Sequence, residues 1–331
     1  MHFTLLVAGA LVPAKLATAL CASLDTPHLL DRLAHAKSIE TTTAPPSAGA
    51  DFGTPGTAHL DWLARRLFSR PSHSPTGPYA LAEISGAIPT TFVWHADPVH
   101  VEVARDRLVV QAIDTAPTAD DAAQLIGIAN ELLSAAGCQL VAAGDQWFLL
   151  TEHDWAIDAL PLASVLGSSV TMPVGPDAQT WTRLHNEIQM AWHAQSMNQM
   201  QDRETQTINA LWLHGGGRWQ PLPHIEFAQV QCDAPEWRGA ARAADARGCP
   251  LESTVIDRTL IVIDDLLAPK QREDWAAWLQ ILSAIDRRLG AHQRDAVDLV
   301  LTGSTQRAFA SRHSDRYRFW RRRTLAEALT E

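Results

Sequence analysis

Cysteine is scarce and scattered in this sequence. Cys21, Cys138, Cys232 and Cys249 are the four in 331 residues, and no two form a C-x-x-C pair. That excludes a zinc ribbon or a thioredoxin motif and fits reduced thiols in a cytoplasm. Long apolar runs are missing as well. The longest, Phe3 to Val12, is about half a bilayer span and stops at Pro13 and Lys15, so no transmembrane helix is expected. Positive charge is in deficit: 27 Lys+Arg against 37 Asp+Glu leave a net charge of -10. A general nucleic-acid or anionic-membrane binder carries the opposite sign, so neither partner is expected. The sequence contains no P-loop, no G-x-G-x-x-G, no G-x-S-x-G elbow and no H-E-x-x-H. Met1 to Ala22 is apolar and ends in small residues. Its first residues carry no Lys or Arg, however, and Leu20 before Cys21 is wrong for a lipoprotein site, so export is not expected.

What is present is a chain 46% hydrophobic, long enough for about two domains of roughly 100–200 residues. Phe3 to Gly9 reads as a buried parallel strand, and Asp25-Thr26-Pro27 starts a helix backed by Leu29, Leu30 and Leu33. Ser38 to Pro55 reads as a loop, Ala58 to Phe68 as an amphipathic helix, and Ser69 to Pro78 as a second breaker. Near Pro89 the texture turns to short strands, at Thr91–His95, Val99–Val103 and Leu108–Ile113. A helix over Ala119–Ala136 closed by Gly137 follows, and then two more strands. Ala178 to Met200 is a long helix with Trp181, Leu184, Ile188 and Trp192 on one face. Strands at Ile208–Leu213, Arg258–Ile263 and Asp298–Leu301 alternate with helices, the pattern of a mostly parallel α/β core. The expected organisation is therefore an α/β core from residues 1–89 and 176–331, interrupted by a small α+β domain over 90–175.

The sharpest local feature is Asn209-Ala-Leu-Trp-Leu-His-Gly-Gly-Gly-Arg218. Glycines after a buried strand let backbone approach a ligand, and strand ends are where open α/β sheets bind. Asn209, His214, Gly215, Gly216 and Gly217 are thus the candidate ligand-binding residues; a turn needed only for chain reversal is the competing reading. His95 and Asp97 fall on one side of an extended segment, a start for a metal site, but a turn built on Asp97-Pro98 is the favoured reading, since no further ligands can be identified. Asp264-Asp265 at a strand end are weak candidates for Mg²⁺, or a helix cap. The basic stretch Arg316 to Arg323 interleaves Tyr317, Phe319 and Trp320 and reads as a terminal helix docked on an acidic body.

Several segments carry a family likeness. Asp25-Thr-Pro-His-Leu-Leu-Asp-Arg-Leu-Ala34 resembles a segment of the alkaline-phosphatase superfamily. Ile208 to Gly217, with Pro221-Leu-Pro223, is similar to a segment of archaeal-type cofactor-independent phosphoglycerate mutases. Val297 to Gly303 looks like the strand that carries metal ligands there. Ala96-Asp-Pro-Val-His100, Asn186-Glu-Ile-Gln-Met190 and Phe319-Trp-Arg-Arg322 resemble a proteobacterial family described either as phosphoglycerate-mutase-like or as Rpf-type regulatory proteins. The resemblance implies an alkaline-phosphatase-like, mostly parallel sheet flanked by helices, and phosphomutase ancestry. The ligands depart from that pattern. Leu6-Val-Ala-Gly-Ala10 offers no carboxylate, Ser304-Thr305 replace an Asp-His pair, and Asp265-Leu-Leu-Ala-Pro269 lacks the expected His. Two hard divalent ions need several anionic and imidazole ligands. The expectation is a catalytically degenerate, cytoplasmic binding or regulatory module without a cofactor. It has a protein partner and room for a small-molecule ligand. The alternatives are an active mutase-type phosphotransferase with rearranged ligands and a non-metal enzyme using the glycine-rich strand end.

Overall fold

The computed structural model describes residues 1–43, 57–68, 74–104, 107–111, 113, 116–166, 169–170, 173–199, 208–317 and 322–331. In chain order the first part comprises β1 (His2–Val7), α1 (Ala14–Cys21), α2 (Pro27–His35), β2 (Lys37–Thr43), α3 (Ala58–Leu67) and α4 (Thr76–Ser85). There follow β3 (Phe92–Ala104), β4 (Arg107–Gln111), α5 (Ala119–Leu133), β5 (Cys138–Ala143), β6 (Gln146–Thr151), α6 (Leu162–Val165), β7 (Ser169–Val170), α7 (Ala178–Gln199) and β8 (Ala210–Arg218). The last part holds β9 (Gln229–Gln231), α8 (Pro235–Ala243), β10 (Arg247–Cys249), β11 (Thr259–Ile263), α9 (Leu267–Gln271), α10 (Trp275–Gly290), β12 (Ala296–Thr302), β13 (Thr305–Ser311) and α11 (Leu325–Leu329). No helix of the described residues is long and apolar enough to cross a membrane.

Seven strands form the main sheet in the order β10-β9-β11-β1-β12-β13-β2. The first five run parallel, and β13 and β2 add antiparallel at one edge. Near-continuous apolar runs such as Thr259-Leu-Ile-Val-Ile263, buried at every position, are what a parallel strand covered on both faces requires. Phe3, Leu5 and Val7 pack with α1, α2, α10 and α11 on one face. Leu6, Val262 and Val300 pack with α3, α8 and Tyr79 of α4 on the other. The expected α/β architecture, a mostly parallel sheet flanked by helices, is what the chain adopts.

A second, six-stranded sheet runs β5-β6-β3-β4-β7, with β8 also pairing β3. Here the strand expected at Ile208–Leu213 departs from its expected place. β8 lies antiparallel to β3, with Ala210 opposite Val99 and Arg218 opposite Phe92, so it belongs to this sheet and not to the parallel core. The long helix α7 follows it: Trp181, Leu184, Ile188 and Trp192 share one core with Trp94, Trp147, Leu211 and Leu213. β3 is also one strand where two had been expected around a turn at Asp97-Pro98. Pro98 sits opposite Leu211 where the other flank of β3 passes from β6, paired over 92–95, to β4, paired over 100–104. A proline is tolerated where a ladder is interrupted in this way. β2 occupies the start of the expected Ser38–Pro55 loop. Residues 37–41 of it are exposed, as suits an edge strand, and the rest of that loop lies outside the described residues, as do Phe319 and Trp320.

Helix α4 bridges the two sheets. Tyr79 enters the main-sheet core while Ala80 and Leu81 pack on Val93 and Phe148 of the second sheet. Glu83 ties α4 to α8 through Arg238 (3.1 Å) and Arg242 (3.0 Å).

Candidate functional site

The site grows out of cross-strand register. His95 on β3 lies directly opposite His214 on β8, so both side chains leave the same face of the sheet. Their rings stack 4.6 Å apart with an interplanar angle of 11°. Asp97, two residues along β3 on the same face, reaches His214 diagonally, its Oδ2 2.7 Å from Nε2. The N-terminal end of α4 abuts the same ground, since both the Thr76 hydroxyl and the His95 ring border Gly215. Glu236, in the first turn of α8 after β9, is near enough to His214, Asp97 and Asp264 to feel their charges. Asp264 and Asp265 follow β11.

Electrostatics set the roles of these groups. His95 is only 3% exposed. Burial, and then the neighbouring His214, push it down to about 3, so it is a neutral ring whose Nε2 has no partner. Burial raises Asp97, but the charge and hydrogen bond of His214 more than offset this and hold it below the usual carboxylate range. Glu236 is pushed up to about 7, first by burial and further by Asp264 and Asp97, against the lowering pull of its own backbone N–H and His214. Asp264 is raised by desolvation, Asp265 and Asp233, and Asp265 by desolvation and Asp233. An imidazole oriented by a carboxylate, beside an acid that titrates near neutrality, can accept and return a proton.

The five expected ligand-binding residues divide. His214 joins this cluster. Asn209 instead pairs with the backbone of Val101, donating to its carbonyl (2.9 Å) and accepting from its N–H (2.7 Å), and so extends the ladder. Gly215, Gly216 and Gly217 are not a turn at the carboxyl end of a core strand. They are part of β8, and each admits a close neighbour. A Cβ on Gly216 overlaps the Trp94 indole, one on Gly217 overlaps Pro75, and one on Gly215, whose φ is +61°, overlaps the Thr76 hydroxyl. Gly216→Ala is therefore expected to cost about 2 kcal/mol by overpacking. Denaturant unfolding checks it, and an unchanged midpoint would leave packing without a claim on this glycine.

Asp264 and Asp265 stay together at their strand end. Among the described residues, no group of three or more His, Cys, Asp or Glu side chains could hold a metal ion. The ends of β1 and β12 carry no carboxylate or imidazole in Ala8-Gly9-Ala10 or Ser304-Thr305, and they are covered. Leu11 N donates to Thr302 O (3.1 Å), Val12 N to Leu329 O (2.9 Å) and Glu331 N to Val12 O (3.0 Å). The segment Leu329–Glu331 thereby lies against the loop that follows β1, and its Glu331 reaches Ser304 beyond β12. Sequence reasoning missed Glu236, although Ala234-Pro235 marks a helix start and a carboxylate there was legible. Lys270 and Glu331 carried no local sign of their meeting.

No family model and no curated protein matches this chain. Among solved structures it is similar to the cofactor-independent phosphoglycerate mutase of Thermoplasma acidophilum, at 11% identity and a TM-score of 0.41, over 94% of this chain and 89% of that one. It is also similar to a protein of Pyrococcus horikoshii, at 9% identity and a TM-score of 0.43, over 99% of this chain and 90% of that one.

Proposed function

We propose that this chain is a phosphoglycerate-mutase-like protein, on the alkaline-phosphatase plan, in which two-metal phosphoryl transfer has lapsed. It acts as a binding or regulatory module, its partner another protein or a small molecule. One observation carries the reading. Beyond β1 and β12, where the resemblance asks for metal ligands, stand Ala8-Gly9-Ala10 and Ser304-Thr305, and Leu329–Glu331 lies over these strand ends. A pair of divalent ions about 3.5–4 Å apart brings four positive charges, which these neutral side chains cannot offset, and Glu331, the carboxylate that lies there, is already paired with Lys270. What persists is the cluster of the His214–Asp97 pair with Glu236, and that is where we place the ligand. Elemental analysis of purified protein, together with a mutase assay in added Mn²⁺ or Mg²⁺, tests this. No turnover is expected. Two ions per chain with activity abolished by chelation would instead establish an active mutase with rearranged ligands.

A second reading has its own observation. The His214–Asp97 hydrogen bond beside Glu236 is an acid–base set that needs no metal. Turnover that survives chelation and falls with His214→Gln would favour it.

A further inference from the structure

We infer that Lys270 and the Ser304 N–H form an anion subsite, for a carboxylate or phosphoryl oxygen of a ligand, which the chain's own Glu331 occupies as a built-in competitor. The place is one where α/β sheets receive ligands, at the carboxyl ends of two adjacent parallel strands, β1 and β12. Glu331 Oε1 accepts from Lys270 Nζ at 2.8 Å and from Ser304 N at 3.0 Å. The ammonium also donates to Leu11 O at 2.5 Å. An ammonium and a backbone N–H converging on one oxygen is the donor set that recognises carboxylates and phosphates. Both side chains are mostly shielded, 17% exposed for Lys270 and 22% for Glu331, so the charges act with little screening by salt. Lys270 and Ser304 N–H hold the Glu331 carboxyl below its usual range in spite of partial burial.

The geometry is built to admit that oxygen. Gly303 carries no Cβ, and one there would overlap Glu331 Oε1 and lie 2.8 Å from Leu11 O. The backbone that delivers Glu331 is fixed, because Ala328 and Leu329 are buried in the main core and Thr330 pairs with Val12. Its side chain alone is left to rotate. A tethered carboxylate of this kind acts at a high effective concentration, so free anions compete poorly until it is displaced or neutralised. The inference rests on the reading that no metal pair occupies these strand ends, which the elemental analysis tests separately from the anion titration below.

The test titrates the native chain, Glu331→Gln and the double variant Glu331→Gln/Lys270→Met with inorganic phosphate and, separately, with acetate. Ionic strength is held constant with chloride. The thermal midpoint is read for both anions, and the ³¹P line width for phosphate. Glu331→Gln is expected to bind at least one anion with saturation, at least about tenfold tighter than the native chain, and Lys270→Met is expected to remove the gain. A response to phosphate alone assigns a phosphoryl ligand, and a response to acetate alone a carboxylate. Should Glu331→Gln not fold, Glu331→Asp keeps the charge but draws it back by one methylene, and is expected to show a smaller gain. A folded variant with no saturable response to either anion, or a gain that survives Lys270→Met, would overturn the inference and leave an ordinary ion pair.

Discussion

Denaturant unfolding at about pH 4.5 is expected to give about 2 kcal/mol less stability than at pH 7, at roughly 1.4 kcal/mol per proton and pH unit. The cause is two buried imidazoles. Burial pushes His95 down to about 3, and pushes His185 down to about 4 against the backbone of Leu211 and the side chain of Asn186. Both lie below the ordinary histidine value of about 6.5. The unfolded chain therefore takes up protons that the folded one refuses, and stability present above about 6.5 drains away as pH falls toward those folded values. Glu236 works the other way. Raised to about 7, it keeps its proton in the folded state, so over the same interval it adds stability as pH falls, and the raised Asp264 and Asp265 act in that direction too. The lowered carboxylates of Asp97, Asp295 and Glu331 lose stability along with the two histidines, and together these outweigh Glu236, Asp264 and Asp265, which leaves a net loss. His185→Gln is expected to flatten the acid slope. Glu236→Gln steepens it and makes the protein more stable than native at about pH 8. A slope indifferent to both substitutions would mean that other groups govern the acid limit.

Gly239→Ala is expected to cost about 3 kcal/mol, the upper end of overpacking penalties. Helices α4 and α8 cross so closely that a Cβ at Gly239 overlaps the Tyr79 carbonyl and comes within 2.7 Å of its carbon. A backbone carbonyl in mid-helix has no rotamer with which to escape, so one helix must move as a body. Glu83, clasped by Arg238 and Arg242, resists that movement. Because α4 also sets Thr76 against Gly215, the displacement reaches the candidate site, and ligand affinity should fall together with the unfolding midpoint. A variant with native stability would show that the crossing has slack.

How much was legible in the sequence depends on what each signal encodes. β1, β11 and β12 were readable because a strand buried on both faces must be apolar throughout. β8 was readable as a strand but not as a member of the second sheet, since Ala210-Leu-Trp-Leu213 suits either. Its partner β3 lies more than a hundred residues away, and no local pattern names it. The same limit governed the site. His95, Asp97 and His214 could each be singled out, but the stack and hydrogen bond that join them follow from register, which appears only when the strands pair. The glycines of β8 misled for a related reason. A glycine that admits a ligand and one that admits an indole read identically.

Strand β1 sits in the middle of the main sheet, yet its partners β11 and β12 begin at Thr259 and Ala296. At about 5–20 residues per second on the ribosome, it must wait roughly 10–60 seconds before either neighbour has been made. The strands of the second sheet, by contrast, all lie between Phe92 and Arg218 and can pair during that interval. Over that interval the apolar segment of β1 has neither of its sheet neighbours. A chaperone that shelters residues 2–12 would gain more at this stage than one that acts on the finished protein.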